Sequence, residues 1–141
     1  VDELRKTGQK AGLLRPRLFR PFPAELFRKL LAGKSGIAVI DQNISMGMGG
    51  VLYAELAGAL YGDPQAPPQL LSFIGGLGGR DISLEEFFEI ADVTRNAVAQ
   101  KQTLPPRLLY TEQELREMRK LQAVASVERE ELNNSGRVKN D

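Results

Sequence analysis

The chain has 141 residues, 42% of them hydrophobic, and 19 Lys and Arg against 18 Asp and Glu give a net charge of +1. That length suits one modest core, and the balanced charge gives no electrostatic reason for a nucleic-acid or membrane partner. With neither Cys nor His, the chain forms no disulfide, holds no thiolate-ligated cluster, and offers no nucleophile–histidine pair.

Val1 to Lys10 reads as the last turns of a helix, stopped at Gly8. Ala11 to Phe19 reads as a strand, with Leu14 and Leu18 on one face and Leu13 and Phe19 on the other. Pro16 donates no ladder hydrogen bond and belongs at an edge or a bulge. Pro21 and Pro23 stop the strand, and a helix follows from Ala24 to Ala32, with Leu26, Phe27, Leu30 and Leu31 at helical spacing. Gly36 to Ile40 is a continuous apolar run, the pattern of a strand covered on both faces. Val51 to Leu60 reads as a helix that turns Leu52, Leu56, Ala59 and Leu60 inward, and Leu70 to Ile74 as a third strand.

Ser83 and Glu86 form a capping box that opens a helix to about Lys101, its expected buried side being Leu84, Phe87, Phe88, Ala91 and Val98. Thr103 to Tyr110, with two prolines, reads as a breaker. Thr111 and Glu114 form a second capping box, starting a helix to about Glu130. Leu115, Met118, Leu121 or Gln122, and Ala125 give that helix only a thin apolar stripe, a docking face for a partner surface. Leu132 to Asp141 reads as a frayed polar tail. Three divisions follow: an α/β domain over 1–102, a breaker and docking helix over 103–132, and a flexible tail over 133–141. No run of eighteen apolar residues is present, and the start at Val1 rather than Met points to a processed chain or an excised fragment.

Three segments carry a resemblance when read together. They are Arg15-Pro16-Arg17-Leu18-Phe19-Arg20-Pro21-Phe22-Pro23, the turn from Asp41 through Asn43 and Ser45 to Gly49-Gly50, and Phe73-Ile74-Gly75-Gly76-Leu77-Gly78-Gly79-Arg80-Asp81. In this order they resemble the C-terminal part of the alpha subunit of pyruvate:ferredoxin oxidoreductase (pyruvate synthase) and its 2-oxoacid relatives. The resemblance covers roughly Val1 to Val98, and Pro16 departs from the β-branched residue usual in that family. It implies a three-layer α/β sandwich with a short, mostly parallel sheet, transketolase C-terminal-like, lacking its first strand and followed by a C-terminal helix.

The resemblance also implies a scaffolding and subunit-interface role in a cytoplasmic enzyme. The full assembly would decarboxylate a 2-oxoacid, pyruvate by preference, on thiamine diphosphate with magnesium. Iron–sulfur clusters would pass the electrons to ferredoxin, and coenzyme A would take the acyl group. Those cofactors would sit on other domains or subunits, with none in this chain. Its partners would be those domains and subunits, with no nucleic acid and no membrane.

The residues themselves leave two other readings open. Gly49 and Gly50, and Gly78, Gly79 and Arg80, stand between a strand and a helix, where backbone amides favour phosphate. Neither turn has the P-loop's Gly-Lys-Ser/Thr or the dinucleotide spacing, and glycines of this kind more often serve chain reversal. Asp41, Asn43, Ser45, Arg80 and Asp81 sit at strand ends, where open α/β sheets place ligands. Turn or interface chemistry is the plainer role for them. A free-standing phosphate- or nucleotide-binding module, or a purely structural interaction domain, are therefore the alternatives, and no catalytic or metal-ligating residue is assigned.

Overall fold

The computed structural model describes residues 1–45 and 47–137, with the side chains of 112 and 131–137 excepted. It divides into two compact units, Val1–Leu109 and Tyr110–Asp141. In the first, β1 (Ile37–Asp41), β2 (Leu70–Ile74) and β3 (Arg107–Leu108) form a parallel sheet in the order β1-β2-β3. Ile37 stands opposite Leu70 and Asp41 opposite Ile74, while Phe73 and Ile74 face Arg107 and Leu108. The helices of this unit are α1 (Asp2–Lys6), α2 (Ala24–Leu31), α3 (Val51–Leu60) and α4 (Leu84–Gln100).

Two apolar clusters lie on opposite faces of the sheet, because successive strand residues point to opposite sides. On one face Val39 packs with Phe27 and Leu31 of α2 and with Leu56 and Leu60 of α3. On the other, Ala38 and Ile40 pack against Leu71, Phe73, Leu109 and the α4 residues Ile90 and Ala97. The apolar run of β1 is thus covered from both sides, as its composition predicts. The result is an α/β sandwich.

Three expectations from sequence are corrected. Ala11–Phe19 belongs to no strand. Among the described residues no strand lies alongside to supply a ladder, and Leu13, 71% exposed, and Leu18 stay in solvent. The segment read as a breaker contains β3. Its two residues are too few for any periodic signal, and the ladder is made by a distant strand, with the Leu109 amide donating to the Ile74 carbonyl at 2.7 Å. In α4 the buried positions are Glu86, Ile90 and Ala97, whereas Leu84 and Phe87 are exposed. Phe88, Ala91 and Val98 are half-buried. The tether on Glu86 described below sets the rotation of that helix.

The second unit contains α5 (Glu112–Arg137), which continues past the expected end near residue 130. Residues 138–141 of the expected tail lie outside the described residues. Its start has both reciprocal bonds of a capping box: the Thr111 amide donates to Glu114 at 2.6 Å, and the Glu114 amide to the Thr111 hydroxyl at 3.2 Å. Leu115 and Met118 are half-buried, and Leu121, Val124 and Val127 are exposed. Among the described residues no helix is long and apolar enough to cross a membrane.

Candidate functional site

The carboxyl ends of parallel strands are the places to look for a ligand, and two turns occupy them here. In the first, Asp41 ends β1 with its side chain on the face covered by α3. It is only 4% exposed, and its two carboxylate oxygens accept from the amides of Leu52 at 3.0 Å and Tyr53 at 3.1 Å. The Asn43 carbonyl oxygen accepts from the Val51 amide at 2.9 Å, and its side-chain amide donates to Asp41 at 3.4 Å. Together the two side chains take the first three amides of α3, the groups a bound phosphate would need. The favourable end of the helix dipole is therefore already compensated from within the chain.

The loop between them is closed by a bridge between Ser45 and Gly49, with the Ser45 amide donating to the Gly49 carbonyl at 2.6 Å. Gly49 has φ +83°, and a side chain there would meet the Ser72 hydroxyl at 2.6 Å and Pro106 at 3.2 Å. Gly50, the residue before α3, rests against Asp41. Its amide donates to the Ser72 hydroxyl at 3.4 Å.

The second turn, after β2, is built around Arg80. Its guanidinium donates to both carboxylate oxygens of Glu86, at 3.0 and 2.6 Å. It also donates to the carbonyls of Leu109 at 3.1 Å and Asp81 at 3.1 Å. One planar donor set thus ties the β2–α4 turn, the first turn of α4 and the end of β3 together. Glu86 additionally accepts from the Ser83 amide at 2.8 Å, and the Glu86 amide donates to the Ser83 hydroxyl at 3.2 Å, completing the capping box. The Arg80 guanidinium beside it, with the Ser83 amide, holds the Glu86 carboxyl below its ordinary range against the opposing effect of burial. Gly78 and Gly79 turn the chain in left-handed conformations at φ +68° and +85°, and Asp81 is exposed. The two turns meet at Gly76, at φ +74°, where a Cβ would lie 2.9 Å from the Gln42 side-chain amide and 3.2 Å from the Arg80 carbonyl.

Asp41, Asn43 and Gly50 are thus gathered into one cap and Arg80 into a second, whereas Leu115 and Met118 belong to the other unit. Sequence reasoning missed Ser72 and the inward tether of Glu86. Ser72, 3% exposed, is the one hydroxyl in Leu-Leu-Ser-Phe-Ile, and alternation from Leu70 would have put it on the α3 face. For Glu86 the capping box was legible; its six-residue reach back to Arg80 was not.

Glycine replacement tests the backbone side of this geometry. Gly49→Val and Gly78→Val are each expected to lower stability by about 1–3 kcal/mol, since both force a β-branched residue to positive φ. Gly49→Val should cost more, because only there does the new side chain also meet neighbours. Equal losses in urea unfolding would contradict that ranking.

An iron–sulfur cluster requires thiolates the chain lacks, and no group of three or more His, Cys, Asp or Glu able to hold a metal occurs among the described residues. A diphosphate would have to displace Asp41 or Glu86 from the amides they hold.

Comparison with known proteins places this geometry. The chain is 43% identical over 98 residues to the ketoisovalerate oxidoreductase subunit VorA of Pyrococcus furiosus, covering 70% of this chain and 25% of that protein. It is 43% identical over 105 residues to the pyruvate synthase subunit PorA of Thermotoga maritima, covering 72% and 26%. The PorA subunit of Methanothermobacter thermautotrophicus is 42% identical over 96 residues, covering 68% and 24%. The chain therefore spans about a quarter of the length of the curated relatives it matches. Residues 1–87 match the family described as pyruvate:ferredoxin oxidoreductase core domain II, to which this chain belongs.

Proposed function

We propose that the chain is the C-terminal, scaffolding domain of the alpha subunit of a cytoplasmic 2-oxoacid:ferredoxin oxidoreductase. The observation that carries this reading is the internal engagement of the two turns. Asp41, Asn43, Arg80 and Glu86 are all bonded to this chain's own amides, carbonyls or side chains, while Asp81 is exposed. Such groups position a fold. Among the described residues they leave no donor set aimed at a reacting atom, and no general acid or base converges with them.

In the whole assembly, the 2-oxoacid would lose carbon dioxide, ferredoxin would accept two electrons in one-electron steps, and coenzyme A would take the acyl group. Relatives named for both ketoisovalerate and pyruvate support a 2-oxoacid substrate, with pyruvate the favoured one. Thiamine diphosphate, magnesium and the clusters are assigned to other domains or subunits, and no nucleic acid or membrane enters the reading. The stripe of α5 bearing Leu115, Met118 and Leu121 is assigned to a neighbouring subunit or domain. A free-standing phosphate module is disfavoured because the candidate amides are taken.

The test is pyruvate- and coenzyme A-dependent reduction of a viologen dye. The purified chain with added thiamine diphosphate is expected to show no turnover, and turnover by the chain alone would refute the scaffold reading. Micromolar phosphate binding by calorimetry, abolished in Arg80→Ala, would instead favour the module.

A further inference from the structure

The apolar stripe of α5 does not run straight along the helix. Leu115, Met118, Leu121 and Val124 recur every three residues, whereas one turn takes about 3.6, so each step carries the stripe about 60° around the axis. Leu115 and Val124 are nine residues apart, about two and a half turns, and therefore stand on opposite sides. The charges divide in the same way. On the side of Leu115, Met118 and Ala125 the charged residues are Arg119 and Arg129. On the side of Leu121 and Val124 they are Glu117 and Glu128, with Glu114 turned back to cap the helix. Arg116, Lys120 and Glu130 lie between the two sides.

This segregation is unlike that of a helix whose whole circumference faces water, where opposite signs mix and pair at four-residue spacing. Arg119, Arg129 and Glu128 have no partner among the described residues, and Glu117 has Lys120 at 2.8 Å. Leu121 and Val124 are 69% and 56% exposed, and Leu115 and Met118 are half-buried. One packed surface covers a stripe about 100° wide, too narrow to reach both sets of anchors. A second copy fits poorly, because the 3.5-residue seam of Met118, Leu121, Ala125 and Glu128 puts a carboxylate at a core position. An anionic membrane surface would repel the side bearing Glu117 and Glu128. α5 also lies beyond residues 1–87, where the family match ends.

We propose that α5 is a bridging helix held between two protein surfaces of opposite charge. An acidic, apolar surface packs on Leu115 and Met118 and meets Arg119 and Arg129. A basic, apolar surface packs on Leu121 and Val124 and meets Glu117 and Glu128. Apolar anchors supply the contact area, and the charges select which neighbour takes which side. This rests on reading the chain as a scaffold within a larger assembly.

The experiment is site-specific photo-cross-linking in the complex purified with the full chain from its own cells. A benzophenone amino acid replaces Gln122 on the cationic side, or Gln113 on the acidic side. Gln122 should link to a segment rich in Asp and Glu, and Gln113 to a different segment rich in Lys and Arg. Arg119→Glu with Arg129→Glu should cut the first link about tenfold and leave the second, and Glu117→Lys with Glu128→Lys should do the reverse. Circular dichroism checks that α5 stays helical. Should a reversed pair unfold it, the same residues changed to Gln carry the test, with smaller losses of the same pattern. Both positions linking to one segment, to a second copy, or to nothing would overturn the proposal. So would loss of both links in either charge pair while the helix is intact. Two links of the expected kind, to polypeptides that do not reduce viologen with pyruvate and coenzyme A, would uphold the bridge while refuting the oxidoreductase assignment.

Discussion

Arg80→Ala should lower the stability of the α/β unit by about 2–4 kcal/mol, read as a shift of the urea midpoint without a change in slope. Its side chain is 22% exposed and that of Glu86 11%, so the pair is largely but not wholly removed from water, and the estimate is discounted accordingly. Much of the loss comes from what remains: a nearly buried carboxylate, and the Leu109 carbonyl stripped of this donor. Glu86→Gln keeps the cap and should cost less. Arg80→Met combined with Glu86→Gln should cost less than the sum of the two single changes, since neither charge is then left alone.

The same pair sets a pH dependence. The Glu86 carboxyl titrates below its ordinary 4.5 when folded. Its contribution is therefore full above that value and is lost as pH falls through the lower folded pKa. The stability difference between the wild type and Glu86→Gln should shrink as pH is taken below 4.5. A difference independent of pH in that window would show that the carboxylate charge contributes nothing.

Asp41→Ala should cost about 2–4 kcal/mol, since it removes a cap and leaves two helix amides without their acceptor in a buried place. Its buried carboxylate holds Leu52 and Tyr53, and α3 carries Leu56 and Leu60 into the core. Loosening the first turn of α3 therefore loosens that cluster. Asp41→Asn retains one acceptor oxygen and should lose less. A second consequence separates capping from ligand binding. In Asp41→Ala the freed amides should gain weak phosphate affinity that the wild type lacks, detectable as a phosphate-dependent rise in melting temperature. Stabilisation by phosphate in the wild type but not the variant would show the turn to be an anion site after all.

The local features of this fold were legible because they are written in neighbouring residues. Ser83 and Glu86, and Thr111 and Glu114, announce their helix starts over four positions, and both boxes are made as read. Gly-Ile-Ala-Val-Ile is a continuous apolar run and Leu-Leu-Ser-Phe-Ile a mostly apolar one, and both supply strands of a parallel sheet. The three turns in order were enough to point to the family of residues 1–87.

What escaped sequence was pairing at a distance. Ala11–Phe19 has strand composition, yet a strand exists only where another backbone shares its hydrogen bonds, and none does so among the described residues. Arg107–Leu108 has almost no strand signal, yet β2 makes it one. Of the positions read as the inward face of α4, Leu84 and Phe87 are exposed and Phe88, Ala91 and Val98 half-buried. The ion pair between Arg80 and Glu86 turned the helix so that a carboxylate points inward and Phe87 outward. Whether the strand-end turns were caps or ligand sites also had no answer in the sequence. The residue types are the same for both, and only the three-dimensional positions of Asp41, Asn43 and Arg80 determine whether helix amides and charges are already taken. Chain-local hydrogen bonding and apolar periodicity fix elements; register, helix rotation and the fate of each polar group depend on which distant segments meet.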